Sequence, residues 1–434
     1  MSPSLIGFIG LFFLFAFLLL RMPVALTMLL VGFVGTAALN GIGPAFTSLA
    51  AEAFDIATFF DLIVIPLFVL MGNLAGVSGM SRDLYNAANA WVGHWRGGLA
   101  AATITGCAGF AALSGSSIAS AVTMGRVALP EMKRFKYSDS LATGCVAAGG
   151  TLGILIPPSS GFVIYAVLAE ESIGRLFMAG VFPGLLLTGL FLIAISIVTR
   201  FRPEAGPAGP STDFREKLAS LWRAFAIVII VLVTIGGIYM GVMTPVEAAG
   251  VGALLTLLVA WARGSLTLAS MRFVILQTVR TTSTTFMILV GAHVFIPFMA
   301  LSEIPADLVG FLVGLDVGNL GVMIIIMATY VVLGTFLEGI AMLVLTMPIV
   351  LPVIHEMGVD TVWFGVIVVI VLEMGLISPP VGVNVFVVRS VAPDVPMNTI
   401  FRGIWPFWCA MLVCLALLLI WPQIALFLPN TMFN

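Results

Sequence analysis

Charged side chains are scarce in this sequence. Of its 434 residues, Asp, Glu, Lys and Arg make up 9% and hydrophobic residues 61%, whereas an ordinary soluble domain carries about 25% charged residues. So few charges cannot cover a surface that faces water, which excludes a water-soluble globular enzyme. Most side chains must face lipid or other parts of the protein, and the sequence therefore predicts an all-α polytopic membrane protein.

Residues that carry enzyme or nucleotide chemistry are equally few. The three histidines are scattered, and the sequence has no phosphate-binding loop, no GxGxxG and no Ser-His, paired-Asp or HExxH arrangement. The 18 Lys and Arg against 20 Asp and Glu form no dense basic patch for nucleic acid. The cysteines lie in apolar runs without C-x-x-C spacing, which indicates neither a zinc site nor a disulfide framework: Cys107, Cys145, Cys409 and Cys414. We expect no enzymatic activity and no organic cofactor.

Long uncharged stretches divide the sequence. A helix needs about 20 residues to cross the hydrocarbon core, so these stretches predict roughly ten crossings plus two segments of a different kind. The first stretch has no preceding basic segment and no small-residue cleavage site, so we expect a retained span with its N-terminus outside. The stretches are 4–20, 22–51, 62–81, 97–125, 140–169, 176–199, 224–246, 281–302, 317–337 and 403–434.

The basic residues outside the spans are strongly biased to one side. With the N-terminus outside, only Arg175 among them falls in an outer loop, which supports this orientation by the positive-inside rule. The cytoplasmic set is Arg82, Arg96, Lys133, Arg134, Lys136, Arg200, Arg202, Arg215, Lys217, Arg223, Arg263, Arg272, Arg280, Arg389 and Arg402. The outer loops carry Glu52, Asp55, Glu170, Glu171, Glu303, Asp307, Asp316, Glu356 and Asp360.

The two halves of the sequence resemble each other. A linker over 201–216, rich in Pro and Gly, separates a first repeat over 1–200 from a second over 217–434. The matching residues lie at one constant offset: Pro23 with Pro245, Leu129-Pro130 with Leu351-Pro352, Gly153 with Gly375, and Pro157-Pro158 with Pro379-Pro380. Five crossings per half, an odd number, place the second half upside down relative to the first. Inverted repeats of this kind are typical of transporters.

A helical hairpin is predicted in each half. In the first, over 97–132, limbs 98–113 and 118–130 flank a polar turn at Ser114–Ser117 and both flanks are basic. Two full crossings would give the same sidedness, but limbs of roughly 20–24 Å are shorter than a ~30 Å core, which favours a tip inside the membrane. The second hairpin, over 317–352, turns near 334–339 and enters from outside.

The next helix in each half contains a break. The first, over 139–168, carries GGTLGILIPPS at 149–159, and the second, over 361–388, carries EMGLISPPVGVN at 373–384. Proline removes a backbone donor, so each helix opens and leaves carbonyls that a cation could bind. The alternative is a simple kink; two matched breaks, each beside a polar hairpin tip, favour a binding site.

These motifs resemble the large membrane subunit of tripartite ATP-independent periplasmic (TRAP) transporters. The resemblance covers nearly the whole chain and is strongest over 114–158 and 334–384, with departures at Ile340 and Val371. It implies a sodium-driven importer of an organic acid, a C4-dicarboxylate or a related carboxylate, in the bacterial inner membrane. It also implies an elevator movement of the hairpins and broken helices, a small four-helix membrane subunit and a periplasmic binding protein as partners.

The resemblance assigns the following residues, with Na⁺ as the coupling ion. The first sodium site takes Ser114, Gly115, Ser116, Ser117, Gly150, Gly153 and Pro157. The second takes Gly334, Thr335, Gly339, Gly375 and Ser378. The substrate candidates are Ser116, Thr151, Ser159 and Asn384. Glu338 and Glu373 are candidates for ion coupling, with a structural capping role as the equal alternative.

Other interpretations remain open at this stage. Arg126 is interpreted as a snorkelling residue in preference to a substrate ligand, and Arg389 as a topology anchor. A divalent-anion/sodium symporter that needs no binding protein shares the predicted architecture. An ion channel would also share broken helices and polar tips.

Overall fold

The computed structural model describes residues 2–314 and 317–432, so that Asp316 lies outside the described residues. Within them it contains α-helices, two short 3-10 turns (Phe60–Ile63 and Pro203–Ala205) and no strand, which confirms the all-α class. The helices are α1 (Pro3–Leu19), α2 (Val24–Asn40), α3 (Ile42–Thr58), α4 (Val64–Val77), α5 (Met80–Val92), α6 (Gly98–Ser114), α7 (Ser117–Arg134), α8 (Asp139–Leu155), α9 (Ser160–Ala169), α10 (Ile173–Phe201), α11 (Phe214–Tyr239), α12 (Pro245–Ala262), α13 (Leu268–Leu301), α14 (Ile304–Gly314), α15 (Gly318–Gly334), α16 (Gly339–Glu356), α17 (Thr361–Ile377), α18 (Val383–Val391), α19 (Met397–Ile420) and α20 (Gln423–Thr431).

Seven spans of the described chain are long and apolar enough to cross a membrane: α4 with the 3-10 turn before it, α10, α11, α12, α13, α16 and α19. The pair α8 and α9 passes the same test together and is bent by 42°. Helices α1, α2, α6, α15 and α17 are apolar but shorter. Length and composition therefore identify up to eight spans, and the number of ten crossings stays a prediction.

Two of the uncharged stretches contain more than one helix. The stretch 22–51 is interrupted after Asn40, because Gly41 adopts a left-handed φ of 92° and ends α2 there. The stretch 403–434 is interrupted at Trp421-Pro422, since proline cannot donate to the preceding turn. An uncharged stretch therefore indicates residues that lie in the membrane or are buried in the protein, but it does not indicate where each helix ends.

The helices pack as two groups. We call α1–α4 with α11–α13 the scaffold group, whose closest pairs are α2 with α13 and α4 with α12. We call α6–α10 with α15–α20 the hairpin group, in which α8 packs on α6, α7 and α19. Helix α5 lies between them and packs on α6 and α11, while α4 meets α6 and α13 meets α16. The hairpins thus face the scaffold group on one side and the broken helices on the other.

The hairpin limbs are longer than the sequence predicts. Helices α6 and α7 have 17 and 18 residues, or about 26 and 27 Å, because α7 begins at Ser117 and continues through Pro130 to Arg134. Limb length alone therefore does not decide that the hairpin is re-entrant. The tip is buried within the protein, with Ser114 and Ser117 7% and 2% exposed, and its position inside the membrane stays a prediction.

The helix bounds repeat between the halves. Both ends of α17 are those of α8 displaced by 222 residues, the offset at which the proline pairs match. In each half the break that follows contains a cis Pro-Pro bond, at Pro157-Pro158 and at Pro379-Pro380. A helix of the same length that ends at a Pro-Pro break therefore occurs in each half of the chain.

The linker is attached to the hairpin group. Helix α10 runs to Phe201 and α11 starts at Phe214, so the connection is shorter than 201–216. The amides of Gly97 and Ser138 donate to Ala205 or Gly206 of the linker over 2.8–3.0 Å. These bonds fix the linker against the ends of α6 and α8 that carry basic flanks.

Candidate ion and substrate site

The tip of the first hairpin is a short turn between two helices. Helix α6 ends at Ser114, Gly115 adopts a left-handed φ of 59°, and the Ser116 hydroxyl accepts a hydrogen bond from the Ala119 amide. The Ser114 and Ser120 hydroxyls lie 2.7 Å apart and bond to each other. Glycine and N-capping serine are the residues that such a turn requires.

The break between α8 and α9 supplies unpaired backbone acceptors. Prolines have no N–H, so Pro157 and Pro158 cannot bond the carbonyls of Gly153 and Ile154 that lie four residues before them. Helix α9 restarts at Ser160, and the Ser159 hydroxyl caps it by accepting from the Phe162 amide at 3.2 Å. The break thus combines free carbonyl oxygens with a new helix N-terminus.

The tip and the break are in direct contact. The amide and hydroxyl of Ser160 both donate to the Gly115 carbonyl, at 3.2 and 2.8 Å. A Cβ on Gly115 would lie 2.9 Å from the Pro158 carbonyl oxygen. The Gly115 carbonyl, a predicted sodium ligand, is therefore already engaged by Ser160. Sequence reasoning missed Ser160, although a polar residue directly after the Pro-Pro-Ser motif was the available signal.

Helix α8 presents glycines to the first turn of α7. A Cβ on Gly153 would lie 2.5 Å from the Ser116 carbonyl oxygen, and one on Gly150 would lie 3.1 Å from the Ser117 carbonyl oxygen. The structure thus brings the predicted first-site residues together around the contact of tip and break, with Pro157 in the break itself. They are Ser114, Gly115, Ser116, Ser117, Gly150, Gly153 and Pro157.

The second predicted site repeats the close approach. A Cβ on Gly375 would lie 2.6 Å from the Cα of Gly334 at the end of α15, so only glycine fits at this crossing. Gly339 opens α16 and is buried, and the Thr335 hydroxyl donates to the Val332 carbonyl at 2.8 Å.

The Ser378 hydroxyl has two partners. It donates to the Met374 carbonyl at 2.6 Å and accepts from the indole nitrogen of Trp408 at 2.9 Å. The Gly375 carbonyl also accepts from the Ser378 amide at 3.0 Å. Ser378 therefore has one lone pair left for any cation, and Trp408 of α19 is a partner that the sequence did not indicate.

The two candidate coupling carboxylates differ in their surroundings. Glu338 is the N-cap of α16, where its carboxylate accepts from the Ala341 amide at 3.2 Å. Glu373 is 1% exposed, and neither of its carboxyl oxygens has a hydrogen-bond partner among the described residues. The Ser117 hydroxyl and the Glu338 carboxylate lie nearby. The capping alternative thus applies to Glu338, whereas Glu373 caps no backbone donor.

A large cavity of about 940 Å³ is lined by residues of both the first hairpin and the scaffold group. Ser114, Gly115, Ser116 and Ser159 line it together with Glu338, so the first tip, the first break and the second hairpin meet at its inner end. The other two substrate candidates contribute nothing to its wall. Thr151 is buried and bonds the Ala148 carbonyl, and Asn384 is buried with its amide unpartnered.

Two helix N-termini point into this cavity. Ser116 caps α7, Ser159 caps α9, and both line the wall. A helix N-terminus carries a partial positive charge and free N–H groups, which favour anions. The inner end of the cavity therefore combines donors suited to a carboxylate with the carbonyl oxygens of the break behind them.

A surface ion pair connects the base of the first hairpin with the segment after α18. Lys133 Nζ lies 2.6 Å from Asp394 Oδ2, and both side chains are well exposed. The hydrogen bond and charge of Lys133 hold the pKa of Asp394 below its ordinary value. The pair joins two parts of the hairpin group, and its exposure limits its contribution to stability.

Comparison with known proteins identifies the family. The family model described as tripartite ATP-independent periplasmic transporter, DctM component, matches residues 11–424. The chain belongs to this family. It is 37% identical to the C4-dicarboxylate TRAP transporter large permease protein DctM of Pseudomonas aeruginosa, over 88% of this chain and 89% of that protein.

Other relatives carry different substrates in their names. The sialic acid TRAP transporter large permease protein SiaM of Vibrio cholerae is 33% identical over 99% of this chain and 98% of its own length. The isethionate TRAP transporter permease protein DctMQ of Oleidesulfovibrio alaskensis is 33% identical over 98% of this chain and 66% of its own length.

Solved structures agree on the fold. The YdaH transporter of Alcanivorax borkumensis superposes with a TM-score of 0.66 at 15% identity, over 98% of each chain. MtrF of Neisseria gonorrhoeae gives 0.58 at 15% identity, over 89% of this chain and 85% of that one. At this identity they show the fold alone.

Family membership settles several predictions. The chain is a TRAP large permease component and a multi-pass protein of the bacterial inner membrane, and it is not an enzyme. Large permease components of this family work with a periplasmic binding protein and a small subunit.

Proposed function

We propose that this permease imports an organic acid together with Na⁺ by an elevator movement of the hairpin group along the scaffold group. One observation carries the proposal: in each half the hairpin tip packs closely against the broken helix, at the break in the first half and in the last turn before it in the second. The contacts are Gly115 with Pro158 and Ser160 in the first half, and Gly334 with Gly375 in the second. A contact that recurs in both inverted halves supports the proposal of two related ion sites.

The oxygens at the first contact suit a hard monovalent cation. The carbonyls of Gly153 and Ile154 lack helical donors, and the hydroxyls of Ser114 and Ser117 lie on the facing tip. Unpaired carbonyls in an apolar environment cost several kcal/mol each (roughly 2–7), which a bound cation offsets. The second site would use Gly334, Thr335, Gly339 and Gly375, with a smaller share from Ser378.

Glu373 is the proposed coupling residue. An ionised carboxylate without a partner is costly in a buried position, so a cation beside it is favourable. It lies close to Ser117 of the first tip and also lines a small cavity of about 10 Å³ with Gly161 of α9 and Gly339 of the second hairpin. Glu373 is thus placed where the two halves of the hairpin group meet.

The proposed substrate is a C4-dicarboxylate or a related organic anion. The relatives are named for C4-dicarboxylate, sialic acid and isethionate, all of which are anions. The helix N-termini capped by Ser116 and Ser159 would face its carboxylate, and Thr151 and Asn384 support the site from within the hairpin group. A periplasmic binding protein would deliver the substrate, and a small four-helix subunit would complete the membrane part.

The test is uptake into proteoliposomes containing the permease and its two partners. We expect uptake of a radiolabelled C4-dicarboxylate, succinate, with an inward Na⁺ gradient and none with K⁺ in its place. Glu373→Gln keeps the shape of the side chain, so it should insert normally and raise the Na⁺ concentration needed for half-maximal uptake. Uptake driven equally by K⁺ or by a proton gradient would refute sodium coupling. A wild-type Na⁺ dependence in Glu373→Gln would remove that residue from the coupling role.

A further inference from the structure

The large cavity continues past the hairpin tip to two arginines that have no partner. Arg126 of α7 and Arg82 of α5 both line it, and both are exposed. Neither guanidinium group makes an ion pair or a hydrogen bond within the described chain. The one acidic side chain in the wall, Glu338, caps α16 at the inner end. The end of this cavity nearer the cytoplasmic flanks therefore carries uncompensated positive charge.

Both arginines lie away from the tip site. Arg126 lies nine residues after Ser117, and at 1.5 Å per residue this is about 13 Å along α7. Arg82 lies at the start of α5, beyond Gly79 and Ser81, which also line the cavity. The cavity thus has two ends: the capped helix N-termini at the tip, and the guanidinium groups nearer the cytoplasmic flanks.

A polar stripe on the scaffold side connects the two ends. Gln277, Thr281 and Thr285 of α13 all line the cavity, and their spacing of four residues places them on one helix face. The stripe covers about 12 Å of helix, which is close to the separation of the tip and Arg126. On the opposite wall Thr123 lies one turn before Arg126. The wall between the two ends therefore includes polar side chains as well as apolar ones.

The location of Arg126 supports the interpretation as a substrate ligand over snorkelling. A snorkelling arginine extends along lipid toward the interface, whereas Arg126 faces a cavity that also contains Ser116 and Ser159. A positive group in a cleft with low-dielectric walls attracts anions and raises their local concentration. Guanidinium is also the side chain best suited to a carboxylate, because it donates two parallel hydrogen bonds.

We propose that Arg126 and Arg82 form a second anion-binding site, on the cytoplasmic side of the tip, that takes up the carboxylate of the substrate before its release. The inference rests on the proposed import of an organic anion. The two arginines would set the affinity for substrate on the cytoplasmic face. The tip site would set the affinity for substrate that arrives from the periplasmic face.

Side-specific affinity tests the proposal. The permease with its partner subunits is reconstituted in a known orientation, and succinate counterflow is measured with the varied substrate on the cytoplasmic or on the periplasmic face. For Arg126→Gln we expect the cytoplasmic KM to rise about 3- to 10-fold, with the periplasmic KM unchanged. Arg126→Lys keeps the charge and should raise it less. In the wild type the cytoplasmic KM should rise with ionic strength, and this dependence should weaken in the variant.

Arg389→Gln is the matched control, because Arg389 is an exposed arginine of α18 that does not line the cavity. It should leave both KM values unchanged. An unaltered cytoplasmic KM in Arg126→Gln, or equal increases on both faces, would overturn the arginine site. Counterflow needs no sodium gradient, so a failure of sodium-driven uptake would count against the proposed function and leave this test intact.

Discussion

At the scale of single residues, the ion site depends on where glycine allows backbones to meet. A Cβ on Gly153 would lie 2.5 Å from the Ser116 carbonyl and 2.7 Å from the Ser120 hydroxyl. The Ser116 carbonyl is a backbone group and cannot rotate away, so Gly153→Ala must push α8 away from the hairpin tip. We expect a loss of about 1–3 kcal/mol in stability, seen as a lower thermal midpoint in detergent, and loss of sodium-dependent uptake.

Gly189→Ala provides the control for this substitution. Gly189 lies inside α10, and a Cβ there meets no atom within 4 Å. This variant should keep wild-type uptake and a wild-type thermal midpoint, since alanine is a better helix former than glycine. Equal behaviour of the two variants would show that the close contact at Gly153 has no functional consequence.

Local signals explain which parts of the site could be predicted. Glycine, serine and proline act on their own backbone, so the turn at Ser114–Ser117 and the helix end before Pro157 could be predicted from residue identity. The hydrogen-bond partners of these residues on other helices could not be predicted in this way. The hydrogen bond from Ser160 to the Gly115 carbonyl depends on how α9 packs against the end of α6. The same holds for Trp408 bonding Ser378.

At the scale of helices, α5 is one of the elements that connect the two groups. Its start is held to the scaffold group by Arg263, the residue that caps the end of α12, which lies 2.5 Å from Asp83 and also donates to the Ser78 carbonyl. Between Ser78 and α5 stands Gly79, with a left-handed φ of 80° and no neighbour within 4 Å of a Cβ. The connection thus combines an anchored helix start with a turn that only glycine adopts without strain.

Gly79→Ala tests this connection. The left-handed conformation costs alanine roughly 1–2 kcal/mol, so we expect a lower thermal midpoint. We also expect slower uptake, because α5 packs on both α11 of the scaffold group and α6 of the hairpin group. Gly250→Ala on α12 is the control, as its Cβ also meets nothing within 4 Å but its backbone is helical. Similar midpoints for the two variants would contradict the role of the φ value.

Helix ends and lengths were the weaker part of the prediction. The sequence indicates a hairpin limb over 118–130, but α7 runs over Ser117–Arg134 with Pro130 inside it. A single proline near a helix end is tolerated where the lost bond lies at the surface, and Pro130 is exposed. The stretch 22–51 contains two helices for the converse reason, because Gly41 is uncharged and still ends a helix.

At the scale of the whole molecule, the described arrangement has the first hairpin tip resting on the scaffold group. A Cβ on Gly72 of α4 would lie 2.9 Å from the Ser114 Cα and 3.1 Å from its carbonyl oxygen. The cavity with its two arginines opens beside this contact. The proposed elevator movement would break the contact between Gly72 and Ser114, whereas the contacts of tip and break would travel with the hairpin group.

Gly72→Leu should therefore shift the elevator away from this arrangement. The leucine side chain cannot fit against the Ser114 backbone, and each 1.4 kcal/mol of clash shifts the population about tenfold. The measurement is labelling of Val122→Cys, in the cavity wall, by a membrane-impermeant maleimide applied from the cytoplasmic side. The background for this measurement has the four native cysteines replaced. We expect slower labelling in Gly72→Leu than in its parent.

Gly76→Leu, one turn further along α4, is the matched control, because Gly76 also lines the cavity but its Cβ meets no atom within 4 Å. It should narrow the cavity without disturbing the tip, so labelling of Val122→Cys should stay close to that of the parent. If both leucines slow labelling equally, the effect is blockage of the cavity. If neither does, the hairpin tip does not rest on Gly72 in the membrane, and the scaffold contact is not one that the elevator has to break.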